Sequence, residues 1–310
     1  MSELRRDELS GRWVLLAPGR AARPTTFATP GHGEEARPAC PFCPGNEQET
    51  PPEVARTGEG RPDTPGWRVR VVPNLYPIVG GDGGGSDAHE VLIFTPEHDR
   101  SFGLLSDDGA VEAMTVLRDR VRHHLGAGCA YVQAAVNHGP AAGASIEHPH
   151  AQIIALDFVP PAVVAALDRV AGAGDDLVAA AAAAAPGRGL AVVEGPAPVW
   201  CPQAASSPYQ MRVAHRSTRA RFDEATDAEI AVVARALRTA VARLTAVVGD
   251  AAYNLVVHTA PPGPVGFFHW YVEVQPRLTV PAGFELGTGI DVNVVAPEDA
   301  AVQLREAVVG

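Results

Sequence analysis

The chain has 310 residues, 46% of them hydrophobic, which is enough for two ordinary domains or for one domain that repeats a unit of about 150 residues. Its net charge of −11 argues against a general nucleic-acid coat, because binding the phosphate backbone requires a basic face. The first residues lack the apolar core of a signal peptide, no apolar run approaches the roughly 20 residues that cross a bilayer, and four cysteines are too few for a disulfide scaffold. We therefore expect a globular cytoplasmic protein with no nucleic-acid or membrane partner.

The first half of the chain predicts a sheet with one helix. Residues 1–66 are rich in Pro, Gly and Arg and predict mostly loop. Alternating or β-branched runs and one apolar pattern with helical spacing stand out along this half. The predicted elements are strands over 12–16, 67–72, 90–94, 130–136 and 148–156 and a helix over 107–124.

The same order recurs in the second half. An Ala-rich connector over 160–189 predicts one helix or a pair. Beyond it, the predicted elements are a strand over 209–215, a helix over 227–247 and strands over 253–258 and 269–275. This internal repeat predicts an α+β fold of two halves, each an antiparallel sheet packed by a helix. The expected division is a first half over 1–159, a helical connector over 160–195 and a second half over 196–310.

The strand over 148–156 carries the residues that predict chemistry. Side chains alternate along a strand, so His148, His150 and Gln152 face one side, while Pro149 and Ala151 face the other. Pro149 lacks a backbone donor, which favours an edge strand or one that leaves a side free for a ligand. When the two copies of the repeat are aligned, His98 matches His215 and His148 matches His269. In the same alignment His150 matches Tyr271 and Gln152 matches Glu273, so only the first copy has two histidines on one strand face.

A glycine-bearing turn over 137–145 lies just before the histidine strand. Alone, it predicts no more than a strand connection. Its position means that its backbone N–H groups could cradle the phosphate that a nucleophilic histidine attacks.

Cys40 and Cys43 have the Cys-x-x-Cys spacing of a zinc knuckle, but no second such pair completes a four-sulfur site. Histidines must supply the rest, and the best candidates are His98 and His148. A closed Cys₂His₂ set implies a structural Zn²⁺, which would clamp the N-terminal segment onto the strand that carries His150. The alternative is a pair of loop cysteines without metal.

Together these features resemble the galactose-1-phosphate uridylyltransferase family, a branch of the histidine triad superfamily, and the closely related ADP-glucose phosphorylases. The likeness spans nearly the whole chain and implies a duplicated histidine-triad-like unit. The motifs that carry it are Gly11-Arg12-Trp13-Val14 with Arg20 and Arg23, Cys40-Pro41-Phe42-Cys43, Val72-Pro73-Asn74, Pro96-Glu97-His98, Asn137, Gly143-Ala144-Ser145, His148-Pro149-His150-Ala151-Gln152, Phe268-His269-Trp270 and Gly283-Phe284-Glu285-Leu286.

The resemblance implies a ping-pong exchange. A histidine attacks the α-phosphorus of a nucleotide sugar, releases sugar 1-phosphate and passes the nucleoside monophosphate to a second sugar 1-phosphate. By position that nucleophile is His150, and Gln152 holds a phosphoryl oxygen of the intermediate. The implied zinc ligands are Cys40, Cys43, His98 and His148. The implied substrate contacts are Arg20, Arg23, Asn74, Asn137, Gly143, Ser145, Phe284 and Glu285.

Departures from the family pattern also have consequences. Some family members hold a second metal on a Glu and three histidines, of which only His258 clearly appears here. Tyr271 and Glu273 stand where two of these metal-binding histidines would be. The position expected for the metal-binding Glu falls near Ala166, and the nearby carboxylate is that of Asp168. We predict no second metal. Family members are commonly dimers, in which Phe284 and Glu285 could act across the interface.

The leading hypothesis is a UDP-glucose:hexose-1-phosphate uridylyltransferase. An amide at Gln152 can hydrogen-bond but cannot act as a general acid, so leaving groups must already be good ones and hydrolysis is disfavoured. The nearest alternative is an ADP-glucose phosphorylase, which hands the nucleotide to inorganic phosphate. A dinucleoside polyphosphate phosphorylase is a third possibility. A non-catalytic, zinc-stabilised nucleotide-binding scaffold is the alternative of another class, motivated by the degenerate second copy.

Overall fold

The computed structural model describes residues 2–18, 40–80 and 87–309. In these ranges the strands are β1 (Glu3–Arg6), β2 (Trp13–Leu16), β3 (Ala55–Gly58), β4 (Trp67–Pro73), β5 (Ala88–Ile93), β6 (Tyr131–His138), β7 (His150–Leu156), β8 (Ala191–Val193), β9 (Val199–Trp200), β10 (Met211–Val213), β11 (Tyr253–His258), β12 (Tyr271–Pro276) and β13 (Asp291–Asn293). The α-helices are α1 (Asp107–Gly126), α2 (Pro161–Ala173), α3 (Leu177–Ala184), α4 (Asp227–Val248), α5 (Gly283–Thr288) and α6 (Pro297–Glu306).

One continuous antiparallel sheet of ten strands runs through the molecule, in the order β3-β4-β5-β7-β6-β11-β12-β10-β9-β8. The two predicted halves meet at its centre, where β6 pairs with β11 and Asn137 lies opposite Asn254. A smaller sheet joins β1 and β2 to β13. The predicted α+β class is confirmed, and the antiparallel sheets of the two halves are continuous with each other.

The two long helices begin where side-chain caps are available. Ser106 accepts the backbone N–H of Gly109 at the start of α1, and Thr226 forms a capping box with Glu229 at the start of α4. These caps satisfy N–H groups that have no partner inside a helix, so both helices begin at the predicted residue.

Helices α1 and α4 cover one face of the large sheet. Val136 of β6 pairs with Ala151 of β7, and both belong to the buried core together with Met114 of α1 and Leu237 of α4. Because side chains alternate along each strand, the neighbouring strand residues face the other side. The face that these helices leave free therefore carries the polar side chains of the histidine strand.

Strand β7 differs from its prediction in two ways. It begins at His150, two residues later than predicted, and it lies between β5 and β6 inside the sheet. Of the two alternatives that Pro149 favoured, the edge strand is therefore wrong. Pro149, which cannot donate to a strand ladder, comes immediately before the first paired residue and leaves the ladder intact.

The Ala-rich connector forms a pair of helices, α2 and α3. Helix α2 ends at Ala173 and is capped by Gly174, whose φ of 67° lies in the left-handed region that glycine adopts readily. No helix in the described part of the chain combines the length and the apolar character needed to cross a membrane.

Arg212 of β10 anchors the N-terminal segment to the second half of the sheet. Its guanidinium donates to both carboxylate oxygens of Asp7 at 2.9 Å and to Glu273 at 3.1 Å. Burial disfavours a charge there, but the carboxylates of Asp7 and Glu273 raise the pKa of Arg212 well above its usual value. The arginine and its two acids therefore form a buried ionic network.

We expect Arg212→Leu to lower the free energy of unfolding by about 3–5 kcal/mol, because it leaves buried carboxylates without their cation. Arg68, which pairs with Glu112 at the surface and has 62% of its side chain exposed, supplies the matched control Arg68→Leu. Urea unfolding measures both variants. Equal shifts in the two, or no shift for Arg212→Leu, would contradict the anchoring role.

Candidate active site

The predicted nucleophile and two predicted phosphate contacts share the free face of the sheet. Val136 pairs with Ala151, so the adjacent residues Asn137 and His150 face the opposite side. Gln152 lies two residues along β7 from His150 and faces the same way. The structure therefore brings His150, Gln152 and Asn137 together on two neighbouring strands.

The four predicted metal ligands form one cluster beside this face. The ligand atoms of Cys40, Cys43, His98 and His148 lie within 4.8 Å of one another. Cys43 Sγ is 3.3 Å from Nδ1 of His98 and 3.6 Å from Nδ1 of His148. Tetrahedral bonds of about 2.3 Å to sulfur and about 2.0 Å to nitrogen would separate such ligand atoms by roughly 3.5 Å. The cluster has the spacing of a closed tetrahedral site.

Electrostatics in the cluster also suit a metal ion. Burial lowers the pKa of His148 to about 4, so its ring is neutral at pH 7. Nε2 of His148 donates to the carbonyl of Thr95 at 2.8 Å, which leaves the Nδ1 lone pair for a metal. Burial and the neighbouring Cys40 raise the pKa of the Cys43 thiol to about 11. A bound cation would reverse this shift, because it stabilises the thiolate.

The turn that carries the two cysteines is held by buried polar contacts. Asn46 donates to the carbonyl of Cys40 at 2.9 Å. The carboxylate of Glu47, which is only 4% exposed, accepts from the indole of Trp67 and from the backbone of Gly45. The cluster therefore has a supporting shell on the side of β4, and the sequence alone does not indicate it.

His150 is held at one ring nitrogen and free at the other. Its Nδ1–H donates to the carbonyl of His148 at 2.8 Å, which places the lone pair on Nε2. Burial lowers the pKa of His150 below its usual value, so the ring is neutral at pH 7. The ring of Phe42 packs edge to face against it. Among the described residues no hydrogen bond reaches Nε2, which can therefore act as a nucleophile.

A second histidine, His89 of β5, lies beside Gln152. Its Nε2 is 3.2 Å from Oε1 of Gln152, and its Nδ1 accepts the backbone N–H of Ile78 at 3.2 Å. The pairing of β5 with β7 places His89 opposite Ile154 and so next to Gln152. The sequence does not predict that His89 contacts Gln152, because a lone histidine at the start of a strand gives no signal before the strand register is known.

Asn137 is held by a residue of the second half. Nδ2 of Asn254 donates to Oδ1 of Asn137 at 2.8 Å and to the carbonyl of Ala142 at 2.9 Å. Asn254 is the second residue of the candidate site that the sequence does not predict, since its place opposite Asn137 depends on the junction of β6 and β11.

The glycine-bearing turn before β7 does not offer all of the donors expected of it. Gly139 and Gly143 have φ values of 79° and 88°. The N–H of Gly143 bonds to the carbonyl of Pro140, and that of Ala144 bonds to the carbonyl of Gly139. These two N–H groups are therefore used inside the turn. Ser145 lies exposed just after them.

Asn74, another predicted contact, also lies near these residues. Its Nδ2 is 3.1 Å from Nε2 of His89, and its Oδ1 accepts the backbone N–H of Tyr76 at 2.8 Å. Asn74 therefore belongs to the group around His89 and Gln152.

Four further residues were predicted to contact the substrate. Arg20 and Arg23 lie outside the described residues. Phe284 and Glu285 lie on α5, where Glu285 accepts the backbone N–H of Ala282 at 3.0 Å. No hydrogen bond or ring contact joins α5 to His150 within residues 40–80 and 87–309.

The matching face of the second copy carries an ion pair. Glu273 accepts from Gln210 and Arg212 and lies 3.5 Å from Nε2 of His258. Tyr271 stacks on the ring of His258 with 4.5 Å between centroids. Burial would raise the pKa of Glu273, but Arg212 and His258 hold it well below its usual range. Glu273 is therefore a charged partner of Arg212.

Comparison with known proteins gives three consistent findings. Residues 99–309 match the protein family described as "Domain of unknown function (DUF4921)". An ADP-glucose phosphorylase from Arabidopsis thaliana is 30% identical over 98% of this chain and 92% of its own length. A galactose-1-phosphate uridylyltransferase from Thermotoga maritima is 26% identical over 99% of this chain and 98% of its own.

Solved structures agree with these sequence matches. An ADP-glucose phosphorylase from Arabidopsis thaliana with bound ADP-glucose has a TM-score of 0.88 at 28% identity, with the whole of both chains covered. A uridylyltransferase has a TM-score of 0.74 at 26% identity, with 99% of this chain and 98% of the other covered.

The fold is that of the galactose-1-phosphate uridylyltransferase-like proteins of the histidine triad superfamily. The chain belongs to the family that includes galactose-1-phosphate uridylyltransferases and ADP-glucose phosphorylases, and residues 99–309 belong to DUF4921. Its relatives are nucleotidyltransferases and phosphorylases, which supports an enzyme.

We expect Cys43→Ser to weaken binding of a divalent metal by more than the roughly 10- to 100-fold that loss of a supporting contact costs, because a direct ligand is removed. Elemental analysis after dialysis measures the metal content. Cys129→Ala is the matched control, since Cys129 is buried outside the cluster. Equal metal content in the two variants would contradict a metal site at the cluster.

Proposed function

We propose that this protein is a nucleotidyltransferase that acts on nucleotide sugars through a covalent nucleotidyl-His150 intermediate. The observation that carries the proposal is the 2.8 Å hydrogen bond from Nδ1 of His150 to the carbonyl of His148, which leaves the lone pair on Nε2. The burial that lowers the pKa of His150 keeps this nitrogen unprotonated at pH 7. Membership of the family supports nucleotide sugars as the substrate class.

In the first step, Nε2 of His150 attacks the α-phosphorus of the nucleotide sugar. The N–P bond forms as the P–O bond to sugar 1-phosphate breaks, and sugar 1-phosphate leaves with the bonding electrons. The imidazole gains positive charge, which the carbonyl of His148 stabilises through Nδ1–H. In the second step, an oxygen of the acceptor phosphate attacks the same phosphorus, the N–P bond breaks, and neutral His150 is restored.

Gln152 and Asn137 are proposed to donate hydrogen bonds to the phosphoryl oxygens, and Ser145 to contact the same group. A carboxamide cannot act as a general acid, so Gln152 cannot protonate a poor leaving group. Sugar 1-phosphate and inorganic phosphate are stable anions and need no such help. This arrangement favours transfer between phosphates over hydrolysis. The further proposed substrate contacts are Arg20, Arg23, Asn74, Gly143, Phe284 and Glu285, the last two across the interface of a homodimer.

The cluster of Cys40, Cys43, His98 and His148 is proposed to hold one structural Zn²⁺. Two thiolates and two imidazoles in a closed tetrahedral set are the ligands that structural zinc prefers. Zinc would fix the ring of His148, whose carbonyl orients His150, and the transfer itself would take place at His150.

For the overall reaction we favour a phosphorylase that uses ADP-glucose and inorganic phosphate. Among the relatives that match nearly the whole chain, the ADP-glucose phosphorylase from Arabidopsis thaliana is 30% identical and the Thermotoga maritima uridylyltransferase 26%, and the TM-scores of 0.88 and 0.74 for the phosphorylase and a uridylyltransferase point the same way. Such an enzyme would release glucose 1-phosphate and then form ADP. The second candidate is the UDP-glucose:hexose-1-phosphate uridylyltransferase, which the full-length match to the Thermotoga maritima enzyme supports.

We expect the parent protein, given ADP-glucose or UDP-glucose without acceptor, to release a burst of about one equivalent of sugar 1-phosphate. Mass spectrometry should then find the nucleotide on the peptide that contains His150. His150→Asn should give no burst. The control His123→Asn, which changes an exposed histidine of α1, should give the full burst.

A burst from His150→Asn would contradict His150 as the nucleophile. If the parent gave no burst with any nucleotide sugar while still binding nucleotide, the non-catalytic scaffold would be the better description.

Acceptor competition separates the two candidate reactions. With ADP-glucose as donor, we expect inorganic phosphate to restore turnover at least about tenfold better than galactose 1-phosphate, a difference of roughly 1.4 kcal/mol in transition-state binding. The amounts of ADP and of ADP-galactose that are formed measure this preference between the two acceptors. The reverse preference, together with faster reaction of UDP-glucose, would favour the uridylyltransferase.

A further inference from the structure

The two amides proposed to bind the phosphoryl group have a feature in common. Each carboxamide oxygen already has a partner inside the protein. Oε1 of Gln152 faces Nε2 of His89 at 3.2 Å, and Oδ1 of Asn137 accepts from Asn254 at 2.8 Å. A carboxamide offers an acceptor on one side and a donor on the other, so its neighbours decide which one faces a ligand.

Backbone contacts fix the direction of the bond between His89 and Gln152. The N–H of Ile78 can only donate, so Nδ1 of His89 is the acceptor in their 3.2 Å contact. Burial lowers the pKa of His89 below its usual value, so the ring is neutral and its one N–H proton lies on Nε2. Nε2–H donates to Gln152. Nδ2 of Asn74 lies 3.1 Å from the same nitrogen and is also a donor, so in this tautomer that contact is not a hydrogen bond, and Oε1 of Gln152 is the acceptor for Nε2–H.

A backbone carbonyl fixes the pair of asparagines in the same way. The carbonyl of Ala142 can only accept, and it lies 2.9 Å from Nδ2 of Asn254. The same Nδ2 therefore also donates to Asn137, and the atom of Asn137 that faces it is the oxygen. The NH₂ groups of Asn137 and Gln152 are both left for a ligand.

We propose that His89 and Asn254 are positioning residues that hold the NH₂ groups of Gln152 and Asn137 toward the transferred phosphoryl group. This inference rests on the proposed function and adds to it two residues that act through the amides of Gln152 and Asn137. Phosphoryl oxygens only accept hydrogen bonds, so a reversed amide would place a lone pair against an anion. Because both amides are oriented in advance, they need no reorganisation as negative charge develops.

A double-mutant cycle tests whether His89 acts through Gln152. We expect Gln152→Leu to lower kcat about 10- to 100-fold, the loss of one hydrogen bond to a charged group, and His89→Phe to lower it about 10-fold. In the Gln152→Leu background, His89→Phe should lower kcat by less than about twofold, because its target is already gone. Additive losses would overturn the positioning role.

The same cycle with Asn254→Leu and Asn137→Leu tests the second pair, with the same non-additive result expected. His123→Phe, on the exposed side of α1, is the matched control for His89→Phe and should leave kcat unchanged. Urea midpoints close to that of the parent would show that a variant is folded and that its loss of rate is local.

The tautomer of His89 tests the proposal without any turnover. ¹⁵N NMR of the parent protein without substrate should show Nε2 protonated and Nδ1 unprotonated. Protonation at Nδ1 would overturn the role of His89 even if nucleotidyl transfer occurs. If the tautomer is as expected but the parent transfers no nucleotide, the proposed function fails, and both cycles are then measured as AMP affinity. Additive losses of AMP affinity would again overturn the positioning role.

Discussion

The hydrogen bond from Nδ1 of His150 to the carbonyl of His148 is the contact on which the rest of the candidate active site depends. His148 therefore has two roles, since its ring belongs to the cysteine and histidine cluster while its carbonyl orients His150, the proposed nucleophile. Thr95 holds that ring through Nε2. The cluster can therefore fix His150 through a short stretch of backbone, without any contact between His150 and a metal ion.

The two copies of the repeat have diverged in what their matching faces do. In the first copy, His150 and Gln152 remain available to a ligand. In the second, the matching Glu273 is buried against Arg212, so this face stabilises the fold. The second copy nevertheless contributes Asn254 to the first. That contribution depends on the continuous sheet, because β6 and β11 are neighbours only where the two halves join.

Local sequence pattern predicts much of this structure, and pairing between distant strands decides the rest. Helical spacing and caps place α1 and α4 within two residues of their predicted ends, since these signals lie inside each segment. The roles of His89, Asn254 and Arg212 are different, because each depends on a partner from another strand or from the N-terminal segment. A single polar residue in a strand carries no signal until the register is known. For the same reason Pro149 could not decide between an edge strand and an inner one, since the order of strands is not a local property.

The position of the nucleotide on the ring of His150 tests this mechanism most directly. ³¹P NMR of the trapped intermediate, prepared with ¹⁵N-labelled histidine, identifies the nitrogen bonded to phosphorus. Attachment at Nε2 of His150 is predicted, because the proton on Nδ1 is held by the carbonyl of His148. Attachment at Nδ1, or at any residue other than His150, would contradict the mechanism.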